Sequence, residues 1–164
     1  MGTPLSFLES DERNWLAEAV ALATANVGEG GGPFGAVIVR AGEIIATGTN
    51  QVTPSLDPTA HAEVVAIRAA CQVIGDYKLE GCVLVSSCEP CPLCLSAALW
   101  ARVDRVLYAA DRDDAAEAGF DDREFYDLFS RPRDTWPLPV GQLSTSDSFT
   151  PFQAWLSKPD KRAY

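Results

Sequence analysis

Histidine occurs once in this chain, as His61, and methionine once, at the start. A metal centre built on several imidazoles is therefore excluded, and any centre must draw its other ligands from thiols or carboxylates. Positive charge is scarce as well. The 13 Lys and Arg stand against 23 Asp and Glu, a formal net charge of -10. Such a surface repels phosphate backbones, and no Lys/Arg cluster marks a local basic groove, so no nucleic acid partner is expected. No stretch approaches the roughly twenty apolar residues needed to cross a bilayer, so no membrane partner is expected either. Residues 1–10 lack a basic region followed by an apolar run and do not read as a secretory signal. They match a myristoylation pattern in form, Met1-Gly2-Thr3-Pro4-Leu5-Ser6, but nothing basic follows to supply a second membrane signal. The glycine-rich run 28–32 is followed by no Gly-Lys-Ser/Thr, which excludes a phosphate loop. Internal repeats and low-complexity segments are absent.

What is present fits one domain. The chain has 164 residues, 47% apolar and 22% charged, which suits a soluble globular protein with a single continuous core. Its five cysteines are an odd number, and three of them fall between Cys88 and Cys94. That pattern favours a reducing compartment and metal ligation over a disulfide framework, which makes the cytoplasm the expected location.

Apolar residues Trp15, Leu16, Ala19, Val20, Ala23 and Val27 recur at helical spacing, which predicts a helix over 11–27 with Ser10 as its N-cap. Residues 34–39 and 43–47 read as two strands joined by a tight turn at Ala41-Gly42. A Pro-rich loop spans 52–58. Residues 59–74 return to helical spacing, with Val64, Ile67, Cys71 and Ile74 on one stripe. Short apolar strands are expected at 82–85 and 106–110, and between them a helix over 91–102 with proline at its start. One or two short helices are expected within 111–128, a linker over 132–139, a last strand at 140–143 and a last helix at 149–157. Strands separated by crossover helices predict an α/β fold, a three-layer α/β/α domain on a mixed five-stranded sheet.

The chemistry concentrates in two short segments. His61 stands two residues before Glu63, and some thirty residues later comes Pro90-Cys91-Pro92-Leu93-Cys94. Sulfurs three apart on a helix share a face, and in the first turn the helix dipole favours the thiolate that binds metal. One imidazole and two thiolates give zinc three protein ligands and leave a fourth tetrahedral position, the open arrangement of catalytic sites. Two thiolates neutralise Zn2+, so water there stays a weaker acid than beside an all-histidine set. A nearby base, Glu63, is needed to take its proton. The alternatives are a structural zinc and an iron–sulfur run through Cys88, Cys91 and Cys94, for which a fourth matching cysteine is lacking. Cys88 reads as loop support, and Cys71 and Cys82 as core.

Taken together, these segments resemble the cytidine deaminase superfamily and, within it, the bacterial guanine deaminases. The likeness rests on Gly-Gly-Pro-Phe-Gly-Ala at 31–36, Asp-Pro-Thr-Ala-His-Ala-Glu at 57–63 and Ser-Cys-Glu-Pro-Cys-Pro-Leu-Cys at 87–94. It extends to Ala-Ala-Glu-Ala-Gly-Phe-Asp-Asp at 115–122, Pro-Phe-Gln-Ala-Trp at 151–155 and a final tyrosine. The zinc segments alone fit every branch; the later ones are more selective. The resemblance implies a cytidine-deaminase-like fold and zinc-dependent hydrolysis of guanine at C2 to xanthine and ammonia. His61, Cys91 and Cys94 would carry Zn2+, and Glu63 would carry the proton with Asp122 as a second catalytic carboxylate. Asn50 would bind the base, Phe34 would line the pocket, and Tyr164 would enter a neighbouring subunit's site. It further implies a domain-swapped homodimer in which 132–164 is exchanged between subunits. Related substrates (cytosine, guanosine, an aminotriazine) stay open because pocket shape sets the substrate. So does tRNA adenosine deamination, which the acidic surface opposes, and so does a catalytically silent, zinc-stabilised interaction module.

Overall fold

The structure, a computed structural model, describes the backbone of residues 5–163 and the side chains of residues 11–163. The myristoylation pattern at the N-terminus and the role expected of Tyr164 lie outside the described residues. The elements in order are α1 (Leu5–Gly28), β1 (Gly35–Arg40), β2 (Glu43–Thr49), α2 (Val52–Ser55) and α3 (Ala62–Ile74). There follow β3 (Cys82–Cys88), α4 (Pro92–Ala101), β4 (Arg105–Ala110), α5 (Arg112–Glu117), α6 (Arg123–Leu128), a 3-10 turn (Arg133–Thr135) and α7 (Thr150–Ser157). The chain divides into two compact units, one running to Tyr126 and one starting at Asp127.

In the first unit the strand order is β2-β1-β3-β4, with β1 antiparallel to both neighbours and β3 parallel to β4. The hairpin turns at Ala41 (φ 51°) and Gly42 (φ 86°), the two positive φ values that match the twist of a two-residue turn. Successive side chains of β1 point to opposite faces. Ala36 and Ile38 join Leu84 in a core under α3 and α4, while Val37 and Val39 join Val85 against Trp15, Leu16 and Leu22 of α1. Three layers follow directly, with helices on both faces of a mixed sheet.

Four strands, not five, form that sheet among the described residues. The segment 140–143 carries no strand, and Leu143 is 92% exposed. Four residues that include Gly141 bring too few apolar side chains to offset the entropy of ordering them. Ser10 does not cap α1, which begins five residues earlier at Leu5 because nothing between breaks the helix. The next helix begins later than its spacing suggests. The Asp57 carboxylate accepts from the Thr59 N–H (2.8 Å) and hydroxyl (2.7 Å), a local turn that competes with helix, and α3 starts only at Ala62.

The second unit holds a Phe129–Trp136 edge-to-face pair at 5.4 Å, and the Trp136 indole N–H donates to the Arg131 carbonyl at 3.1 Å. Phe149, the N-cap of α7, packs on Phe152 at 5.5 Å, yet both remain exposed, as do Trp155 and Leu156. None of the described helices is long and apolar enough to cross a membrane.

Candidate metal centre and active site

Backbone geometry places the two chemical segments at helix starts. His61 is the N-cap of α3 and Cys91 the N-cap of α4, both with extended backbone, and each carbonyl accepts the first helical N–H (from Val65 and Leu95, 2.9 Å). Neither side chain caps its own helix, so both are left for other partners. Pro92 occupies the first helical position, where a missing N–H costs nothing. Cys94 follows one turn after Cys91 on the same face. The close approach of α3 to the sheet depends on Gly48. A Cβ there would stand 2.3 Å from the Ala62 carbonyl and 2.5 Å from the Ala66 nitrogen.

The result is a compact triangle. Cys91 Sγ and Cys94 Sγ lie 3.5 Å and 3.4 Å from His61 Nδ1, and the two sulfurs are 3.6 Å apart. Ordinary zinc bonds at tetrahedral angles require edges of about 3.6 Å between nitrogen and sulfur and about 3.8 Å between sulfurs. The donor set thus fits zinc in atom type, number and spacing, and no other His/Cys/Asp/Glu group among the described residues gathers in this way. One proton held between the sulfurs lowers the Cys91 thiol to about 4 and raises that of Cys94. The sulfur beside His61 in turn raises the imidazole.

Glu63, at the start of α3, is 6% exposed. Its Oε2 accepts from the Cys94 thiol at 3.3 Å and its Oε1 from the Ser86 hydroxyl at 3.1 Å, so the carboxylate edge is held beside the triangle. Burial raises its pKa, against the pull of those donors. Asp122 sits in the loop between α5 and α6, near enough that its charge acts on His61 and Cys88. Burial raises its own carboxyl, with the Cys91 charge adding to the effect.

Phe34 and Asn50 stand at the same end of the sheet, because β1 starts and β2 ends there. The Phe34 carbonyl accepts from the Asn50 N–H at 3.0 Å. The Phe34 ring meets Phe120 edge-to-face at 5.1 Å and 87°. Asn50 is mostly buried, and its Oδ1 accepts from the Val52 N–H at 3.2 Å. The structure therefore gathers His61, Cys91, Cys94 and Glu63 into one cluster, sets Asp122 within its field, and places Phe34 and Asn50 together. Tyr164 is not described.

Three contributors escape a reading of the sequence. Ser86, which holds Glu63, looks like one polar residue in an apolar strand. Phe120, the partner of Phe34, lies in an otherwise acidic stretch. Asn26, 1% exposed, falls three residues after the buried Ala23 and seven after the buried Ala19, on one helical stripe. A polar residue on an apolar stripe is the signal that could have found it. A further assembly braces the cysteine loop. Glu89 pairs with Arg112 through both oxygens, the Arg112 guanidinium lies 3.8 Å over the Tyr126 ring, and the Tyr126 hydroxyl donates to the Pro90 carbonyl at 2.6 Å.

Comparison with known proteins agrees with this geometry. Residues 9–110 match the cytidine and deoxycytidylate deaminase zinc-binding region. Over 155 residues, 94% of this chain and 99% of that protein, the sequence is 52% identical to guanine deaminase of Bacillus subtilis (strain 168). The X-ray structure of guanine deaminase from Bacillus subtilis superposes with a TM-score of 0.89, covering 93% of this chain and 98% of that one. The tRNA-specific adenosine deaminase of Aquifex aeolicus is 45% identical, but only over 78 residues, 48% of this chain and 52% of that protein. A zinc-ready His/Cys/Cys triangle with a buried carboxylate at its side, on this sheet and in this sequence family, places the chain among the cytidine and deoxycytidylate deaminases.

Proposed function

We infer that the protein is a zinc-dependent guanine deaminase, converting guanine and water to xanthine and ammonia. The observation that carries the substrate is the reach of the likeness. Identity of 52% to a guanine deaminase runs over 94% of the chain, far past the zinc region that ends at residue 110.

His61, Cys91 and Cys94 would hold Zn2+, which when bound would act as a Lewis acid that lowers the pKa of water. The chain's own groups do the rest. Glu63 takes one proton from the attacking water and delivers it to the ring nitrogen; it then takes the second from the hydroxyl now on C2 and delivers it to the amino group, which leaves as ammonia as the C–N bond breaks and the carbonyl forms. Its raised pKa suits a group that must hold a proton between these transfers. Asp122 assists proton movement at the amino group. Asn50 binds the base through its amide, and Phe34, braced by Phe120, lines the pocket.

The working form is a homodimer that exchanges residues 132–164, with Tyr164 reaching the partner's site. Exposure supports this: beyond Leu128 no described residue is buried, and α7 with its N-cap Phe149 shows Phe149, Phe152, Trp155 and Leu156 without a core of their own. Such an apolar set calls for a covering surface. The cytoplasm keeps the thiols reduced for metal binding. Nucleic acid is not a partner, because the charge of -10 opposes a phosphate backbone.

Steady-state ammonia release against guanine, guanosine, cytosine and an aminotriazine tests the reading. Guanine is expected to give the highest kcat/KM. Guanine as the poorest of the four refutes it, and tRNA binding at physiological salt favours adenosine deamination instead.

A further inference from the structure

We propose that Asn26, in the last turn of α1, is a positioning residue for the base pocket, its amide tying together the two segments that carry Phe34 and Asn50. This rests on the reading above that Asn50 binds the base.

A buried amide left without partners costs free energy, so where its hydrogen bonds go is informative. Asn26 Nδ2 donates to the Gly32 carbonyl and to the Asn50 carbonyl, both at 2.8 Å, and Oδ1 accepts from Gln51 Nε2 at 3.4 Å. Every side-chain partner thus lies on one of the two segments that flank the pocket. The main chain takes part too, since the Asn26 carbonyl accepts from the Gly31 N–H at 3.0 Å and so folds the loop back onto the side chain.

The neighbouring glycines are shaped to this contact. A Cβ at Gly31 would stand 2.2 Å from Asn26 Nδ2 and 2.4 Å from the Asn50 carbonyl, so any larger residue would wedge the clamp open. A Cβ at Gly32 would stand 3.2 Å from Asn50 Cγ, so the Asn50 side chain lies over that glycine. Asn50 is thereby held at its carbonyl by Asn26, at its N–H by the Phe34 carbonyl and at its Oδ1 by the Val52 N–H. Its Nδ2 donates to no protein group among the described residues. That donor remains for the base, aimed by a clamp on the helix across the sheet.

Asn26 makes no hydrogen bond to His61, Glu63, Cys91 or Cys94, whose positions depend on α3, α4 and β3. Its loss therefore separates binding from chemistry. In the Asn26→Ala enzyme, KM for guanine is expected to rise about tenfold or more, with kcat within about threefold of the parent and zinc content unchanged. The Asn26→Ser enzyme, whose hydroxyl can donate one bond, is expected between the two, and it carries the same comparison if the alanine variant does not fold. A cycle with Asn50→Ala supplies the readout that mere stability would not move. Adding Asn26→Ala to Asn50→Ala should change KM by less than about twofold, because the clamp then has nothing to aim. Parental KM in both Asn26 variants with only a lower Tm, or independent and additive effects in the cycle, overturns the clamp while leaving Asn50's role intact. Parental KM in Asn50→Ala overturns the base-binding reading and the clamp with it.

Discussion

Glu63 combines a buried carboxylate, a fixed orientation from Ser86 and Cys94, and a place beside the metal ligands. Replacing it with glutamine keeps the shape and removes the proton-carrying oxygen. The Glu63→Gln enzyme is expected to retain zinc by metal analysis while kcat falls by about a thousandfold or more. Unchanged turnover would reject the role. The same variant exposes the cost of burial. A carboxyl raised in the folded state contributes stability that is full below the ordinary glutamate value of 4.5 and is lost as pH rises toward the folded pKa. Metal-free parent protein should therefore lose Tm over that window, and the glutamine variant should lose less. At this scale the sequence was legible where chemistry demands fixed residue types at fixed spacing, as with His61, Glu63, Cys91 and Cys94. Ser86 was not, and Asn26 showed only as a polar residue on an apolar stripe, because an amide or hydroxyl does not name its partners until distant segments are brought up to it.

Between helix and sheet, contact is set by what is small. The stripe of α3 that meets the sheet is Ala62, Ala66 and Ala70, all fully buried, and the larger Cys71 and Ile74 pack at its margin. Hydrophobic spacing pointed to the Val/Ile side of the same helix, since bulk marks apolar faces more strongly than alanine does. It found the helix and an apolar face of it, since Val64 and Ile67 are buried and Cys71 and Ile74 pack against the core, while the alanines make the close contact. Gly48 completes that contact. Its replacement by alanine would drive a methyl into the α3 backbone and is expected to cost about 2–4 kcal/mol in urea unfolding. Zinc affinity should weaken as well, because His61 rides on that helix. A zinc titration like the parent's would show that α3 is placed by other contacts. Element ends were less legible than element identities, since Asp57 with Thr59 and the residues before Ser10 decide them locally.

For the molecule entire, the layers and the mixed sheet followed from the order of periodic segments, while the strand count did not, because 140–143, with Gly141 among its four residues, forms no strand. The stretch after Leu128 shows its apolar side chains to solvent, which sequence periodicity alone cannot distinguish from a packed helix. Removing 132–164 is expected to convert a dimer into a monomer in sedimentation and to lower guanine turnover by about tenfold or more; an unaltered mass would reject the exchange. Deleting Tyr164 alone should impair turnover more than it lowers Tm. Within the first unit, the hairpin offers a practical opening. Its tip at Ala41-Gly42 stands a full strand from Phe34 and Asn50, about 20 Å at the usual rise. A fluorophore, an affinity handle or a surface tether fixed there would report on or immobilise the enzyme without crowding the base pocket proposed at Phe34 and Asn50.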